Sequence, residues 1–548
     1  MKYDLKTKYY ELFDQDNPLK EYPRPTFIRN SYLSLNGKWQ YAITKKNEDL
    51  IFDNKEIIVP YVIESYLSNV RYDLKKDETL WYYKKFVLGK EFLKDKIILH
   101  LDGIFQISDI YLNGQLLGHN EGGFKKIFFE IQDYIKDENE LIVKVMNQPD
   151  YDLEVSKEGH KRGGMWYTKT TGIYKPVWIE SFDFNDIYDL NIETDIDGTV
   201  YGQIESNYQN YHIDVIYKGE IVYKNDFIDG FLFKIDEPKL WSPEEPNIYD
   251  IVIDNGYERI KSYFAFRKFD IKENNIYLNG NKIFINGVLN QSYFSDGIYT
   301  PATYQAFKDD ILLAKKLGFN ALRMHLKVEN DIFYHLADRL GILIMQDFPN
   351  SGKYKFIRDT LLPTIITFLP FGNQKVTKKR KLQFLETGKD IINQMRKHPS
   401  VFYITIFNEG WGQFDADKMY QLFKDYCPDF IYDTTSGWFK KKKSDVLSIH
   451  NYFYKLKMLK TNKPYILSEY GGYSLRIEDH GFSNKEYGYH KCQNIEELNN
   501  DYDKLMETIS KLKEEGLAGA VYTQLSDIED EINGLITYDR KIIKIKRG

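Results

Sequence analysis

The sequence has little cysteine, no long apolar run and no excess of basic residues, and each shortage excludes a class of protein. Cys427 and Cys492 are the only thiols in 548 residues, and they lie far apart without the spacing of metal ligands. A disulfide framework is therefore not expected, and the composition fits a reducing cytoplasm. A net charge of −6 argues against nucleic-acid binding, which requires a basic face.

A membrane location is not expected either. Residues 1–11 carry charges where a signal peptide has its apolar stretch, and no window approaches the roughly eighteen unbroken apolar residues of a membrane helix. We therefore expect a cytoplasmic protein without a membrane partner. The sequence leaves open whether the chain forms a homo-oligomer.

What the sequence has in quantity is length and aromatic side chains. At 548 residues the chain exceeds a single hydrophobic core, so about two to four domains are expected. The 45 Tyr and 35 Phe residues raise the aromatic fraction to 16%, and many of them fall in alternating, strand-like runs. Most of these rings are expected to fill β-sandwich cores, although sugar-binding clefts also use aromatic rings as stacking surfaces.

The N-terminal half consists of short alternating runs separated by Asn-Gly and Asp-Gly turns, which predicts a β-sandwich. The clearest runs lie at residues 37–43, 81–87, 97–101, 107–114 and 140–145. Residues 185–270 continue the pattern, and a region of about 85 residues of this kind fits a small immunoglobulin-like sandwich.

After residues 279–282 the pattern changes to alternating strands and helices, as in βαβ units. One helix is predicted from its cap at Thr303 to Leu317, and another from Glu329 to Leu340. Eight parallel strands would close into a (β/α)8 barrel, whereas a doubly wound open sheet lacks its glycine-rich phosphate loop here. The predicted strands are residues 284–288, 320–325, 342–347, 402–407, 430–433, 446–450, 465–468 and 519–525.

One segment does not fit this alternation. Residues 353–386 come between the third and fourth predicted strands and show no clear strand or helix period. We predict that they form an insertion and contribute to the wall of a cleft.

Two of the predicted strands end in a glutamate. Glu409 follows Tyr-Ile-Thr-Ile-Phe-Asn and Glu469 follows Pro-Tyr-Ile-Leu-Ser, 60 residues later. Because barrel strands end at one rim, short connections would bring both carboxylates together. Two carboxylates on one rim suit cleavage of a glycosidic bond, with one as proton donor and the other as nucleophile. The alternative for either glutamate alone is a helix cap or an ion pair with a lysine.

Further polar residues stand at the ends of the predicted strands. Barrel strands are buried on both faces, so polar side chains at their ends need a reason. Singly, each has a structural alternative: the histidines as core residues, the arginine in an ion pair, the tryptophan in packing. Together they indicate one site, with Arg323, His325, Asp347, Asn408, Glu409, Trp438, His450, Tyr452, Glu469, Gln524 and Asp527 as candidates.

Short motifs recur in a fixed order along the whole chain. They lie at residues 36–39, 163–180, 240–243, 264–267, 287–291, 318–323, 407–412 and 467–472. With Phe-Asn-Glu-Gly-Trp-Gly and Leu-Ser-Glu-Tyr-Gly-Gly as its most specific elements, this set resembles glycoside hydrolase family 2, the β-galactosidase and β-glucuronidase family. The resemblance implies a sugar-binding jelly roll at residues 1–183, an immunoglobulin-like sandwich at 184–270 and a catalytic (β/α)8 barrel at 271–548.

By the same resemblance, Glu409 is the acid/base and Glu469 the nucleophile of a retaining enzyme. A less polar site and the charge of Glu469 are expected to keep Glu409 protonated. Asn408 is expected to bind the sugar 2-hydroxyl, Arg323 to keep Glu469 ionised and Tyr452 to orient its carboxylate. The other rim residues are expected to contact substrate, and neither a cofactor nor a metal is expected.

Three departures from the family pattern bear on the sugar. The glucuronidases grip the sugar carboxylate with an Asn-any-Lys pair, and the matching stretch at residues 531–540 lacks that lysine. Trp166 stands where the family places an aspartate that binds the sugar 4-hydroxyl, and an indole accepts no hydrogen bond. Gln524 stands near the place of a tryptophan-containing wall, where we expect it to offer a polar contact.

The sequence thus predicts a retaining exo-β-glycosidase acting on a small carbohydrate. A β-galactoside is the first candidate, and a β-glucuronide or another β-hexoside is the alternative. A carbohydrate-binding protein without activity and a purely structural protein are the alternatives from other classes. Intact Glu409 and Glu469 argue against the first, and the polar barrel rim argues against the second.

Overall fold

A computed structural model describes residues 4–146, 150–158, 161–355, 357–361, 374–439 and 443–546. Two antiparallel sandwiches are followed by a parallel barrel, which confirms the predicted fold class. Across these residues, no helix has the length and apolar character needed to cross a membrane.

The first sandwich contains strands β1 to β12. They are β1 (Leu33–Ser34), β2 (Gly37–Lys45), β3 (Glu56–Val59), β4 (Glu78–Phe86), β5 (Lys96–Leu101), β6 (Ile104–Phe105), β7 (Ile107–Leu112), β8 (Gln115–Glu121), β9 (Ile127–Glu130), β10 (Asn139–Met146), β11 (Gly172–Ile173) and β12 (Val177–Phe182). A four-stranded sheet in the order β1-β12-β5-β9 faces a six-stranded sheet in the order β3-β2-β4-β10-β7-β8.

Alternating burial along the strands explains why this region folds as a sandwich. In β10, Leu141, Val143 and Val145 are fully buried, while the residues between them are partly exposed. Between β7 and β8, Asn113 and Gly114 have φ values of 52° and 85°, the left-handed pair that an Asn-Gly hairpin turn requires. The alternation and the turn chemistry read from the sequence therefore agree with the structure.

The second sandwich contains strands β13 to β19. They are β13 (Ile187–Thr194), β14 (Thr199–Ser206), β15 (Asn210–Tyr217), β16 (Glu220–Ile228), β17 (Phe231–Lys234), β18 (Tyr249–Asp254) and β19 (Arg259–Phe264). Three strands in the order β13-β14-β17 face four in the order β16-β15-β18-β19. The buried Trp241 fixes this sandwich to the barrel, since its indole N–H donates to the Asp338 carbonyl at 2.8 Å.

The barrel follows a small antiparallel sheet of β20 (Phe269–Lys272), β21 (Asn275–Leu278) and β22 (Asn281–Ile283). The predicted domain boundary at 270/271 falls inside β20. The later strands are β23 (Ile285–Asn290), β24 (Ala321–Met324), β25 (Leu343–Asp347), β26 (Val401–Phe407), β27 (Ile431–Thr435), β28 (Leu447–Asn451), β29 (Tyr465–Gly471), β30 (Tyr473–Ser474), β31 (His490–Lys491) and β32 (Gly519–Thr523). Eight of them form one parallel sheet in the order β27-β26-β25-β24-β23-β32-β29-β28, which matches the eight strands predicted.

The α-helices among the described residues are α1 (Gln305–Lys316), α2 (Asp331–Leu340), α3 (Lys378–Met395), α4 (Ala416–Tyr426) and α5 (Ile495–Glu514). The predicted cap of α1 at Thr303 is wrong: Tyr304 is the N-cap, and no described group hydrogen-bonds to the Thr303 hydroxyl. Gly341 ends α2 with a φ of 72°, a conformation that glycine adopts without strain.

The predicted insertion at residues 353–386 is also partly corrected. Helix α3 begins at Lys378, so the last part of this stretch belongs to a regular barrel helix that packs its apolar face inward. Ile357–Leu361 forms a short π-helical turn. Residues 356 and 362–373 lie outside the described residues.

A loop of the first sandwich lies on the barrel rim. The backbone N–H groups of Val155 and Ser156 donate to the Asn350 carbonyl at 2.9 and 3.0 Å. The Ser156 hydroxyl donates to the carbonyl of Leu326, two residues beyond the end of β24. The rim is therefore shaped by two domains, not by the barrel alone.

Candidate active site

Glu409 stands just beyond the carboxyl end of β26, in a single helical turn at Asn408–Gly410. Its φ of 51° lies in the left-handed region, a strained conformation of the kind found at functional sites. Its backbone N–H donates to Ser436 Oγ at 3.3 Å. Gly412 is required by space, since a Cβ there would lie 2.0 Å from the Ser351 carbonyl oxygen.

Glu469 lies in β29 and is 5% exposed. Arg323, from β24, donates to Glu469 Oε1 at 3.1 Å. The hydroxyl of Tyr452, which follows β28 directly, donates to Oε2 of the same carboxylate. Each oxygen of Glu469 thus has its own donor, and the two contacts fix the orientation of the carboxylate.

His450 lies between the two glutamates. Its Nδ1 is 3.2 Å from Glu409 Oε1, and its Nε2 is 3.3 Å from Glu469 Oε1. One carboxylate oxygen of each glutamate and a ring nitrogen of His450 all lie within 4.8 Å of one another. This close approach fits the separation of about 5 to 5.5 Å in retaining glycosidases and not the 6.5 to 9.5 Å of inverting ones.

Arg323 organises the floor of the site. It is fully buried and donates from Nε to Asp347 Oδ1 at 2.9 Å and from Nη2 to Asn408 Oδ1 at 2.8 Å. Asp347 Oδ2 lies 2.9 Å from His325 Nδ1, and Ser436 Oγ lies 3.1 Å from the guanidinium. With its Oδ1 held by Arg323, Asn408 keeps its Nδ2 without an acceptor among the residues described.

The electrostatics of the two glutamates favour the ionised forms. Burial raises the pKa of Glu469, but the charges of His450 and Arg323 outweigh it and lower the pKa below its ordinary value. Burial acts in the same way on Glu409, but the hydrogen bond and charge of His450 lower its pKa to about 2. In the unliganded site these contacts favour the ionised form of Glu409, whereas the sequence led us to expect a protonated acid.

Trp438 and Gln524 differ in their exposure to solvent. The Trp438 ring lies 5.7 Å from the His450 ring, edge to face, and is partly exposed. Gln524 is fully buried, and its amide is engaged on both sides: Oε1 accepts from Gln291 at 2.8 Å and Nε2 donates to Asn533 at 2.8 Å. The structure therefore gives Gln524 a supporting position and does not favour the predicted substrate contact.

Asp527, also at the predicted rim, is buried in an ion pair with Lys544 at 2.7 Å. It is therefore committed to holding the chain after β32. The structure therefore does not bring Asp527 together with the two glutamates.

Two groups of aromatic rings adjoin the segments that carry Glu409 and Glu469. Trp166, from the first sandwich, packs edge to face on Trp411 and Tyr354, with ring centroids 4.9 Å apart in both pairs. On the other side, Tyr489 stacks on Tyr452 with centroids 3.7 Å apart. Trp166 thus belongs to the same site as the glutamates, although the two lie in different domains.

Sequence reasoning missed three residues near the site: Ser436, Tyr489 and Lys157. Ser436 directly follows β27, so reading every strand end would have found it. Tyr489 and Lys157 lie on loops, where no period in the sequence indicates which way a side chain points. Their positions depend on the packing between segments distant in sequence.

Two clusters have the residue types of metal ligands. The first is Glu409, His450 and Glu469, whose oxygens already accept from protein donors. The second is His490, Cys492 and Asp501, in which His490 lies 3.0 Å from Asp501 and burial raises the pKa of the Cys492 thiol to about 11. Because metals bind the thiolate, the raised pKa of Cys492 disfavours the second cluster as a metal centre.

Comparisons with known proteins agree with this architecture. Residues 269–543 match the glycosyl hydrolases family 2, TIM barrel domain. Residues 44–175 match the glycosyl hydrolase 2 galactose-binding domain-like family, and residues 183–267 match glycosyl hydrolases family 2. The chain belongs to glycosyl hydrolase family 2.

Individual relatives are distant. A β-galactosidase of Priestia megaterium is 22% identical over 80% of this chain and 48% of its own length. A β-galactosidase of Thermoanaerobacterium thermosulfurigenes is 25% identical over 81% of this chain and 63% of its own length. The chain thus spans about half to less than two thirds of these curated relatives.

Solved structures share the fold over nearly the whole chain. The Ruminococcus gnavus β-glucuronidase superimposes with a TM-score of 0.76 at 17% identity, covering 96% of this chain and 97% of its own. At this identity the likeness establishes the fold only. The choice of sugar must be argued from the residues of this site.

Proposed function

We propose that this chain is a retaining exo-β-glycosidase that removes terminal β-linked sugars from small carbohydrates. The observation that carries the proposal is the pair Glu409 and Glu469 on one barrel rim, with oxygens within 4.8 Å. That spacing suits direct attack by one carboxylate on a sugar whose leaving oxygen is protonated by the other. Family membership supports the same reaction class.

The reaction proceeds in two displacements. Glu469 attacks the anomeric carbon, the bond to the leaving oxygen breaks, and Glu409 supplies a proton to that oxygen. Glu409 then takes a proton from water, the water oxygen attacks the anomeric carbon, and the bond to Glu469 breaks. Two inversions leave the configuration at that carbon unchanged.

The low pKa of Glu409 adds a requirement to the first step. As a carboxylate, Glu409 must gain a proton before it can act as the acid. We infer that His450 delivers it, because Nδ1 of its ring lies 3.2 Å from Glu409 Oε1. The proton moves from Nδ1 to the carboxylate and on to the leaving oxygen, and the proton that Glu409 takes from water in the second displacement returns to Nδ1.

The surrounding residues position these groups. Arg323 and Tyr452 hold Glu469 ionised and aimed, each through a hydrogen bond to a different oxygen. Asn408 presents its Nδ2 toward the cleft for the sugar 2-hydroxyl, with Oδ1 held by Arg323. Trp166 and Tyr489 supply ring surfaces for the faces of the sugar.

Two sugars are candidates for the glycone. A β-galactoside is the first candidate, and relatives named β-galactosidase support it. A β-glucuronide is the alternative, and relatives named “Putative beta-glucuronidase” support it. Against it stands the missing lysine at residues 531–540.

Release of p-nitrophenol from β-galactoside, β-glucoside, β-mannoside and β-glucuronide substrates tests the proposal. We expect turnover of at least one substrate, with the product released in the β configuration when followed by NMR. If no other cation takes the place of the missing lysine, we expect a glucuronide kcat/KM at least about a hundredfold below that of the best neutral sugar, since an unpaired buried carboxylate costs several kcal/mol. Binding of sugars without any turnover would instead support a carbohydrate-binding protein.

A further inference from the structure

Lys327 and Arg540 are two basic residues of the barrel that could serve an anionic sugar, but both are buried in ion pairs. Lys327 pairs with Glu329 and also donates to the Ser292 and Tyr299 carbonyls. Arg540 lies 3.2 Å from Asp310. Neither side chain is free to bind a substrate.

Lys157 differs from these residues. It is partly exposed, and no carboxylate or hydrogen-bond acceptor within the described parts of the chain pairs with its ammonium group. Its Nζ lies 5.9 Å from the ring centroids of both Trp166 and Tyr167. These distances place the charge over two aromatic faces, where a cation is attracted without being neutralised.

The neighbours of Lys157 place it at the catalytic rim. Ser156, just before it, is bonded to the Leu326 carbonyl, and Glu158, just after it, accepts from the Tyr293 hydroxyl. Trp166, under the lysine, contacts Trp411, two residues after Glu409. The segment is thus held at both sides, so the position of Lys157 is set by tertiary contacts.

The charge of Lys157 acts inside the site. It contributes to the lowered pKa of Glu409 and, after burial, to the lowered pKa of His325. A positive charge that reaches these two groups also reaches a sugar bound between them. The effect of the Lys157 charge on these two groups agrees with the position of Lys157 beside Trp166.

We propose that Lys157 is a specificity-determining residue that binds an anionic group on the sugar, in the first place the carboxylate of a hexuronide. This inference rests on the proposed glycosidase function and names the class of its substrate. A carboxylate near Glu409 and Glu469 is repelled unless a cation accompanies it. Lys157 supplies that cation from the first sandwich, in place of the lysine absent from residues 531–540.

A second role for Lys157 makes a different prediction. If its charge only tunes Glu409, its removal changes the reaction with every substrate alike and shifts the pH profile on neutral glycosides. If it also binds a sugar anion, its removal affects charged substrates far more than neutral ones, mainly through KM. The two roles therefore separate in one comparison.

The test compares wild type with Lys157→Met and Lys161→Met. Lys161 is exposed and lies six positions before Tyr167, so Lys161→Met controls for the loss of a nearby lysine charge. Substrates are aryl β-glucuronide and β-galacturonide, their uncharged C6 amides, the neutral β-glucoside and β-galactoside, and a 6-phosphoglycoside. For Lys157→Met we expect kcat/KM on the uronides to fall by about 30-fold or more, as for loss of one member of a charge pair. Compared at the pH optimum of each variant, the amides and neutral sugars should lose at least about tenfold less than the uronides, and Lys161→Met should behave as wild type.

The outcomes are distinguishable. A selective loss on the 6-phosphoglycoside instead of the uronides keeps Lys157 as an anion-binding residue but replaces the carboxylate with a phosphate. The inference is overturned if Lys157→Met loses activity equally on charged and neutral substrates. It is also overturned if wild type prefers neutral sugars and Lys157→Met shows the same preference. Neither outcome contradicts the proposed glycosidase function. No turnover of any glycoside by folded wild-type protein refutes the proposed function itself.

Discussion

Replacement of Glu469 by Gln tests the proposed nucleophile with little change of shape. The amide oxygen of Gln can still accept from Tyr452, and Arg323 keeps its bonds to Asp347 and Asn408. What disappears is the negative charge 3.1 Å from the guanidinium and the oxygen that attacks the sugar. The substitution therefore removes the attacking group and leaves the surrounding hydrogen bonds in place.

The expected magnitude follows from these contacts. Without a nucleophile, covalent catalysis is lost, which we take as at least about 4 kcal/mol or about a thousandfold in kcat. Breaking a buried ion pair outright costs about 3 to 5 kcal/mol, but Arg323 retains Asp347, and repulsion between the two glutamates is relieved. We therefore expect stability to change by less than about 2 kcal/mol.

The assay is release of p-nitrophenol from the best substrate, with Tm and circular dichroism as checks on folding. Glu64→Gln is the matched control, because Glu64 is also a buried glutamate but lies in the first sandwich, where its Oε2 accepts from the Thr171 N–H. Incubation of wild type with a 2-fluoro glycoside should label Glu469, as located by peptide mass. A folded Glu469→Gln protein with more than about a tenth of wild-type turnover would refute the assignment.

Three further predictions concern other groups. For Glu409→Ala, we expect the largest loss on substrates with poor leaving groups, and azide should rescue aryl substrates and yield a glycosyl azide; equal damage to all leaving groups would reassign the acid. Arg323→Met should lower the free energy of unfolding by about 3 to 5 kcal/mol, measured by urea denaturation, because it leaves Asp347 buried without its cation. Burial raises the pKa of Glu64 from 4.5 to about 8, so the folded state holds a proton that the unfolded state releases. Stability should then fall between those pH values by up to about 1.4 kcal/mol per pH unit, and Glu64→Gln should remove that slope in thermal melts.

Much of the fold follows from local patterns in the sequence. Alternation at residues such as Leu141, Val143 and Val145 dictates which face of a strand is buried. The Asn113-Gly114 pair dictates a tight turn, and Gly341 dictates a helix end. These signals depend on neighbours in the chain, so they are readable without tertiary structure. The cap at Thr303 was predicted wrongly because residue type alone does not establish that a hydroxyl reaches a backbone N–H.

The candidate catalytic pair could also be predicted from the sequence, and the reason is the topology of the barrel. Parallel strands of a barrel end at one rim, so Glu409 and Glu469 at strand ends must approach each other. The same rule brought in Arg323, Asp347, and His450. It failed for Gln524 and Asp527, since a strand-end position does not tell whether a side chain faces the cleft or the interior.

The charge state of Glu409 and the position of Lys157 depend on tertiary structure. The pKa of Glu409 depends on the imidazole of His450, 41 positions away, whose 3.2 Å hydrogen bond outweighs the effect of burial only together with the nearby positive charges. Lys157 reaches the rim only because Ser156 and Trp166 pack against segments of the barrel. The sequence determined which groups are available for chemistry. The packing between domains determined which charges face one another, because electrostatic energies depend on distances between atoms and not on positions along the chain.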